Sequence, residues 1–169
     1  QLRVPYRTSS KLVEGFPFYT KQLNQFKLQN DSAAITVCYF VLGGFYRTIG
    51  LYESGIYHMK KSISYADSSI TIYRPFSEGI YEGKKSWINN TGALAEYYLL
   101  KGNYDAAIKY GYRALKKTID YNKSLTLKSN INTLAYYFSL WGTAKILASQ
   151  TDSLNYYFPI VDSTAITNE

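Results

Sequence analysis

Apolar residues recur at steps of three and four along most of this chain, the spacing of one face of a helix. Over residues 32–49 the series is Ile35, Tyr39, Leu42, Tyr46 and Ile49, with Asp31 in front as an N-cap. Gly50 breaks the run, and Ile56, Met59, Ile63 and Ala66 mark a second helix over 52–66. Helical spacing returns over 86–101, breaks at Gly102-Asn103, and resumes over 104–121 with Ala107, Ile108, Ala114 and Leu115. A further helical segment runs from about 124 to 149, and Asp152-Ser153 caps a short one that reaches Phe158 before Pro159. Residues 10–29 read as helix interrupted by Gly15 and Pro17. The stretch 71–85 holds Pro75, Gly79 and Gly83 and is read as a long connection. Ser69 to Tyr73 is the best strand candidate and is too short to convince. The expected fold class is therefore all-α.

The chain repeats itself. Leu42-Gly43, Tyr46, Gly50, Tyr52, Gly55, Ser62 and Ile63 match Leu94-Ala95, Tyr98, Gly102, Tyr104, Ala107, Ala114 and Leu115, each pair offset by 52 residues. The first half recurs 40 residues further on as Leu134-Ala135, Phe138 and Gly142. Small residues at Gly43, Ala95 and Ala135 are expected to let a neighbouring helix approach closely. Tyr46, Tyr98 and Phe138 are expected to be knobs between helices. Gly50 and Gly102 fall at helix ends, where a left-handed backbone costs glycine little. Each unit reads as an antiparallel helix pair that must stack on the next to cover its apolar face.

The run from Leu94 to Ile108, closing with Ala114-Leu115, resembles the tetratricopeptide repeat (TPR), and Leu42 to Ile63 is a second match. The clear units span about 36–66 and 88–121, and 10–29 and 124–158 are read as degenerate flanking helices of one domain, 1–169. Spacings of 52 and 40 depart from the family's period of about 34. The usual proline after the second helix is replaced by Asp67 and Ile119. The resemblance implies an α-α superhelix of about three to four stacked pairs whose first helices line a concave groove. Carried over position by position, that groove would present Phe40, Gly44, Arg47 and Thr48, then Asn89, Gly92, Glu96 and Leu99, then Asn132, Tyr136 and Ser139. Of these, Phe40, Arg47, Asn89, Glu96, Asn132 and Tyr136 are the candidate ligand residues. This polar and aromatic set suits an extended peptide or protein segment and does not reproduce the Lys/Asn carboxylate clamp of chaperone-binding TPR proteins. Long-spaced, Tyr- and Asn-rich repeats are also similar to the sensory regions of bacterial signalling proteins. That resemblance implies a fragment of a longer regulatory protein, extracytoplasmic if it is a sensory region and cytoplasmic otherwise. A start without methionine fits the same expectation.

Composition narrows the chemistry. One Cys (Cys38) and one His (His58) exclude an internal disulfide and the usual three- or four-ligand zinc site. No convergent acid/base set is found, so the chain is read as non-enzymatic, without cofactor. Glu78 and Glu82 stand four apart, but Gly79 and Gly83 undo the helical spacing that would pair them. No phosphate-binding glycine motif and no apolar stretch long enough to cross a membrane occur. Sequons at Asn30, Asn89 and Asn122 are expected by chance in so Asn-rich a chain.

Nineteen Lys and Arg against twelve Asp and Glu leave +7, part of it on one face at Lys109, Arg113, Lys116 and Lys117. That stripe reads first as a solvated helix face, and only secondarily as a nucleic-acid surface. Trp87, Trp141 and the Tyr pairs raise a third reading, glycan binding, which fails if both tryptophans are buried. In Tyr97-Tyr98, Tyr98 is expected in the core and Tyr97 partly exposed. Terminal repeats leave apolar faces, so a homodimer through 10–29 or 152–158 is a further expectation.

Overall fold

The computed structural model describes residues 9–66, 71–74, 79–124 and 131–148. Within them the chain is all-α but for one hairpin. The order is α1 (Ser9–Leu28), α2 (Ser32–Thr48), α3 (Tyr52–Tyr65), β1 (Thr71–Arg74), β2 (Gly79–Glu82), α4 (Gly83–Leu100), α5 (Tyr104–Ser124) and α6 (Ile131–Leu147). Two compact units result, Gln1–Asn90 and Thr91–Glu169, with the boundary inside α4. The expected helix over 152–158 lies outside the described residues.

Three helix-to-helix turns close in the same way. After α1, Asn30 takes φ 53°; after α2, Gly50 takes φ 77°; after α4, Gly102 takes φ 76°. In each, the left-handed residue donates its N–H to the carbonyl three back: Asn30 to Lys27, Gly50 to Arg47, Gly102 to Leu99. The next residue donates five back: Asp31 to Phe26, Leu51 to Tyr46, Asn103 to Tyr98. This paired closure satisfies carbonyls that a helix end otherwise leaves open. The residue after the left-handed one then starts the following helix. Asp31 and Asn103 do so with side-chain caps, accepting from the N–H groups of Ala34 (3.0 Å) and Ala106 (3.1 Å). Leu51 has nearly the backbone of Asp31 (φ −84°, ψ 66° against −82°, 85°) but no side-chain cap.

α1 runs unbroken through Gly15 and Pro17, against the interruption expected. Pro17 lies on the exposed side, while Phe16 and Tyr19 anchor the helix on α2. Their rings stand 6.4 and 5.9 Å from Phe45, and Phe16 meets Tyr46 edge-on at 5.4 Å. Packing on the apolar face here outweighs the hydrogen bond that Pro17 cannot make. The connection expected over 71–85 instead contains an antiparallel hairpin, Thr71 opposite Glu82 through Arg74 opposite Gly79. Ile72 pairs with Tyr81 and Tyr73 with Ile80, all residue types that favour strands.

In the first unit, α2 lies closely on α3. A Cβ on Gly43 would stand 2.6 Å from Cε of Met59, so the methionine occupies the space that glycine leaves. Ile35, Cys38, Tyr39, Val41, Leu42 and Phe45 form the core with Tyr19 and Leu23. A buried polar chain crosses it. Ser62 of α3 donates to the Thr36 carbonyl of α2 at 2.7 Å and accepts from Asn90 Nδ2 of α4 at 2.8 Å. All three residues are at most 3% exposed.

In the second unit, α6 packs on both α4 and α5. Gly92 of α4 is covered by the Tyr137 ring, which fills the place of a Cβ, and Gly111 of α5 stands against Trp141. Tyr98 stacks on Tyr110 at 5.5 Å with planes 8° apart, joining α4 to α5.

The expected core is shifted by one residue at the aromatic positions. Phe45, Tyr97 and Tyr137 are buried (6, 1 and 4% exposed), whereas Tyr46, Tyr98 and Phe138 are only half-buried. The two sets lie about 100° apart around their helices. Tyr46 still stands between helices, meeting Phe16 of α1 at 5.4 Å and His58 of α3 at 4.7 Å, and Tyr98 meets Tyr110 of α5. Phe45 packs on Tyr19 of α1, and Tyr137 lies over Gly92 of α4. Ala135 is exposed, and Ile49, expected on the buried face, is the exposed C-cap residue after α2.

Two stability measurements test these contacts. Leu51→Asn is expected to raise the unfolding free energy by about 1 kcal/mol, by supplying the missing cap; denaturant unfolding reads it. Ser62→Ala is expected to cost about 1–3 kcal/mol by leaving Asn90 without its acceptor. In a double-mutant cycle with Asn90→Ala the joint loss should be smaller than the sum of the two.

Candidate functional site

Of the candidate residues, Phe40, Arg47, Asn89 and Tyr136 are exposed. On α2, Phe40 is 39% exposed and Arg47, seven residues on, is exposed on the same side. Thr48 is exposed too, its hydroxyl donating to the Gly44 carbonyl of its own helix at 3.0 Å. On α4, Asn89 is exposed and Glu96, again seven on, is half-buried. Gly92, expected between them on the same surface, is instead buried beneath Tyr137. The neighbouring helix has taken the space that a groove would use. On α6, Tyr136 is 47% exposed and Ser139 is exposed. Asn132 lies in the first turn of α6, and its side chain is outside the described residues.

The structure brings two of the six together. Tyr136 Oη donates to Glu96 Oε2 at 3.2 Å, across 40 residues of sequence. Behind Tyr136 stands Tyr137, ring centroids 5.3 Å apart and planes at 62°. Burial raises the Tyr137 hydroxyl pKa far above the tyrosine range, and the Tyr136 hydroxyl adds to the effect, so Tyr137 remains neutral.

His58 occupies a different environment. Its Nδ1–H donates to the Ser54 carbonyl at 2.8 Å. The ring is half-buried among Tyr46, Tyr57 and Tyr39, at 4.7, 5.3 and 5.8 Å. Burial lowers its pKa below the ordinary histidine value; the Ser54 bond opposes this and the Lys27 charge assists it. No general-base partner stands among these contacts. Among the described residues no group of three or more His, Cys, Asp and Glu is placed to hold a metal ion. Glu82 ends an extended strand, so the spacing to Glu78, which lies outside the described residues, has no helical meaning.

Of the two tryptophans, Trp141 is 2% exposed and Trp87 half-buried, so they do not form the flat exposed pair that sugar stacking needs. Cys38 is fully buried within the core. Lys109, Arg113, Lys116 and Lys117 are all exposed on α5, with exposed Asp105 and Asp120 at i,i+4 spacing from Lys109 and Lys116. No helix among the described residues is long and apolar enough to cross a membrane.

No protein-family model matches this chain, and comparison with curated proteins finds no match.

The histidine gives a pH prediction. The unfolded ring titrates near 6.5 and the folded ring lower, so the unfolded state takes up a proton first as pH falls. The contribution of His58 is fully present above about pH 6.5 and is lost as pH drops through the folded pKa. Urea midpoints should fall between about pH 7.5 and 5.5 in the wild type and change less in His58→Gln. An NMR titration of this sole histidine should give a pKa below 6.5.

Proposed function

We propose that the chain is a non-enzymatic binding module of TPR-like helix pairs, stacked as a superhelix. It holds a peptide or protein segment on the face built by the first helices of successive pairs. The observation that carries this reading is the Tyr136–Glu96 hydrogen bond, which joins α4 to α6 on a partly exposed polar and aromatic surface. The identical turn closures at Gly50 and Gly102, 52 residues apart, support the helix-pair repeat beneath it. Ser139 extends the polar surface along α6. A segment lying there would be bound through side-chain hydrogen bonds and aromatic contact, on elements already fixed in place. Within a larger bacterial regulatory protein such a module would serve sensing or scaffolding.

A polyanion on the basic face of α5 is the second reading, favoured by the exposure of Lys109, Arg113, Lys116 and Lys117. Asp105 and Asp120 at either end weaken it. The glycan reading has lost Trp141 to the core.

Selection from a random peptide library tests the proposal. Retained peptides should shift the backbone amide signals of residues 89–99 and 134–139. Tyr136→Ala should weaken them about tenfold, the loss of one central aromatic contact. A chain that retains no peptide, or shifts confined to residues 109–117, would overturn it.

A further inference from the structure

Outside the binding face proposed above, we infer that Lys27 of α1 and His58 of α3 form an oxyanion site, for a phosphate or carboxylate group, where both stand against the Tyr39 ring of α2. Lys27 Nζ is 5.4 Å from the centre of that ring, and the His58 ring is 5.8 Å from it. Lys61 joins the same surface from α3. Its Nζ is 5.8 Å from the centre of the Tyr57 ring, which meets His58 edge-on at 5.3 Å. Both lysines are exposed and His58 is half-buried, so none of the three is sealed from solvent.

The charges around the histidine have one sign. Lys27 acts on it from α1, and its other neighbours are Tyr39 and Tyr46 from α2 and Tyr57 from α3. No carboxylate among the described residues acts on the ring. Like charges gathered without a counter-charge repel, and an anion between them relieves that repulsion. A cation is disfavoured, because the ring faces that could attract one are occupied. Tyr39 has Lys27 over it and Tyr65 stacked against it, and Tyr57 has Lys61 over it.

His58 adds a donor that depends on a proton. Its Nδ1–H is held by the Ser54 carbonyl at 2.8 Å, one turn back on α3, which fixes the ring. In the neutral ring Nε2 then has no hydrogen to give. Protonation makes Nε2 a donor, and an oxyanion there receives a charged hydrogen bond as well as the attraction of the Lys27 ammonium. Burial and Lys27 hold the pKa of the empty site's histidine below the ordinary value. A bound anion favours the charged ring, so binding must draw a proton onto His58 and raise that pKa.

The test follows the ring signals of this sole histidine by NMR across pH, in sodium sulfate and in sodium acetate, each against sodium chloride at equal ionic strength. Sulfate stands for a phosphate group without titrating in this range, and acetate for a carboxylate. At least one of them should raise the His58 pKa by about 0.5 to 1 over chloride, a roughly three- to tenfold preference for the charged ring. The larger rise names the ligand class. Lys27→Gln should raise the pKa in chloride, by removing a like charge, and abolish most of the further rise in the oxyanion. Those opposite effects separate a site from general electrostatics. Lys21→Gln removes the same charge about 120° round α1 and should leave the rise unchanged. Circular dichroism melting checks that each variant is folded, and the comparison of salts in the wild-type chain needs no variant. The same pKa in all three salts, or a rise that survives Lys27→Gln, overturns the inference. Neither result touches the peptide-binding reading, which uses residues of α4 and α6.

Discussion

Three of the helices in this chain end by placing one residue in the left-handed conformation, and the pairing of neighbours follows from that constraint. The turn at Asn30, Gly50 and Gly102 uses two backbone hydrogen bonds to close one helix, and the next helix starts one or two residues later. So short a link leaves little freedom in how two helices lie together. They must run back along one another, and whichever side chains face inward are fixed by phase. Gly43 against Met59 and Tyr98 against Tyr110 are consequences of this geometry. The turns at Gly50 and Gly102 need no side-chain help to close, which is why Leu51 can stand where Asp31 and Asn103 serve as caps.

Much of this was legible in sequence, because glycine spacing reports backbone conformation directly. The offset of 52 pointed to two equivalent turns, and Gly50 and Gly102 have φ values within a degree of each other. Asn30 gave the third turn without a glycine, and its neighbour Asp31 was recognisable only as a cap. Of the two strands paired over 71–74 and 79–82, only the first overlaps a strand candidate, Ser69 to Tyr73, since four-residue strands are too short for alternation to show clearly. The deepest aromatic burial falls one residue away from the expected knobs for a related reason. Adjacent aromatics such as Tyr97-Tyr98 both bury apolar area, and periodicity alone does not say which of two neighbouring helices supplies the deeper cover. In the structure Phe45 packs on Tyr19 of α1 and Tyr137 covers Gly92 of α4, and these are the more deeply buried rings.

Small residues carried a double meaning that sequence could not resolve. Ser62 matches Ala114 in the repeat and reads as a close-contact position, which it is, being fully buried. It is also the centre of a polar chain from Thr36 to Asn90 that spans three helices. Fifty-two residues after Thr36 and Ser62 stand Ile88 and Ala114, both buried and apolar. The same geometry thus tolerates an apolar or a polar filling. The polar one is demanding, because each buried group must find its partner. A shift of one residue turns a helix face by about 100° and misplaces either filling, but at Ser62 it also breaks hydrogen bonds to two other helices. The hydrogen bonds therefore fix the register of α2, α3 and the start of α4 in a way that apolar contact does not.

The candidate site repeats this logic at the surface. Sequence reasoning placed Glu96 and Tyr136 on the same kind of face, because each occupies the corresponding place in its repeat, but it also placed Gly92 there. Gly92 belongs beneath the surface, and that is what makes the site definite. Without a side chain at 92, Tyr137 sinks against α4 and draws α6 close enough for Tyr136 to reach Glu96. An alanine at that position would hold the helices apart and separate the two groups. The glycine that seemed to leave a groove empty instead builds the wall on which the half-buried carboxylate and the exposed ring are mounted. A position read as a vacancy for ligand works as a spacing element, and the chemistry available to a partner is set by the side chains on either side of it.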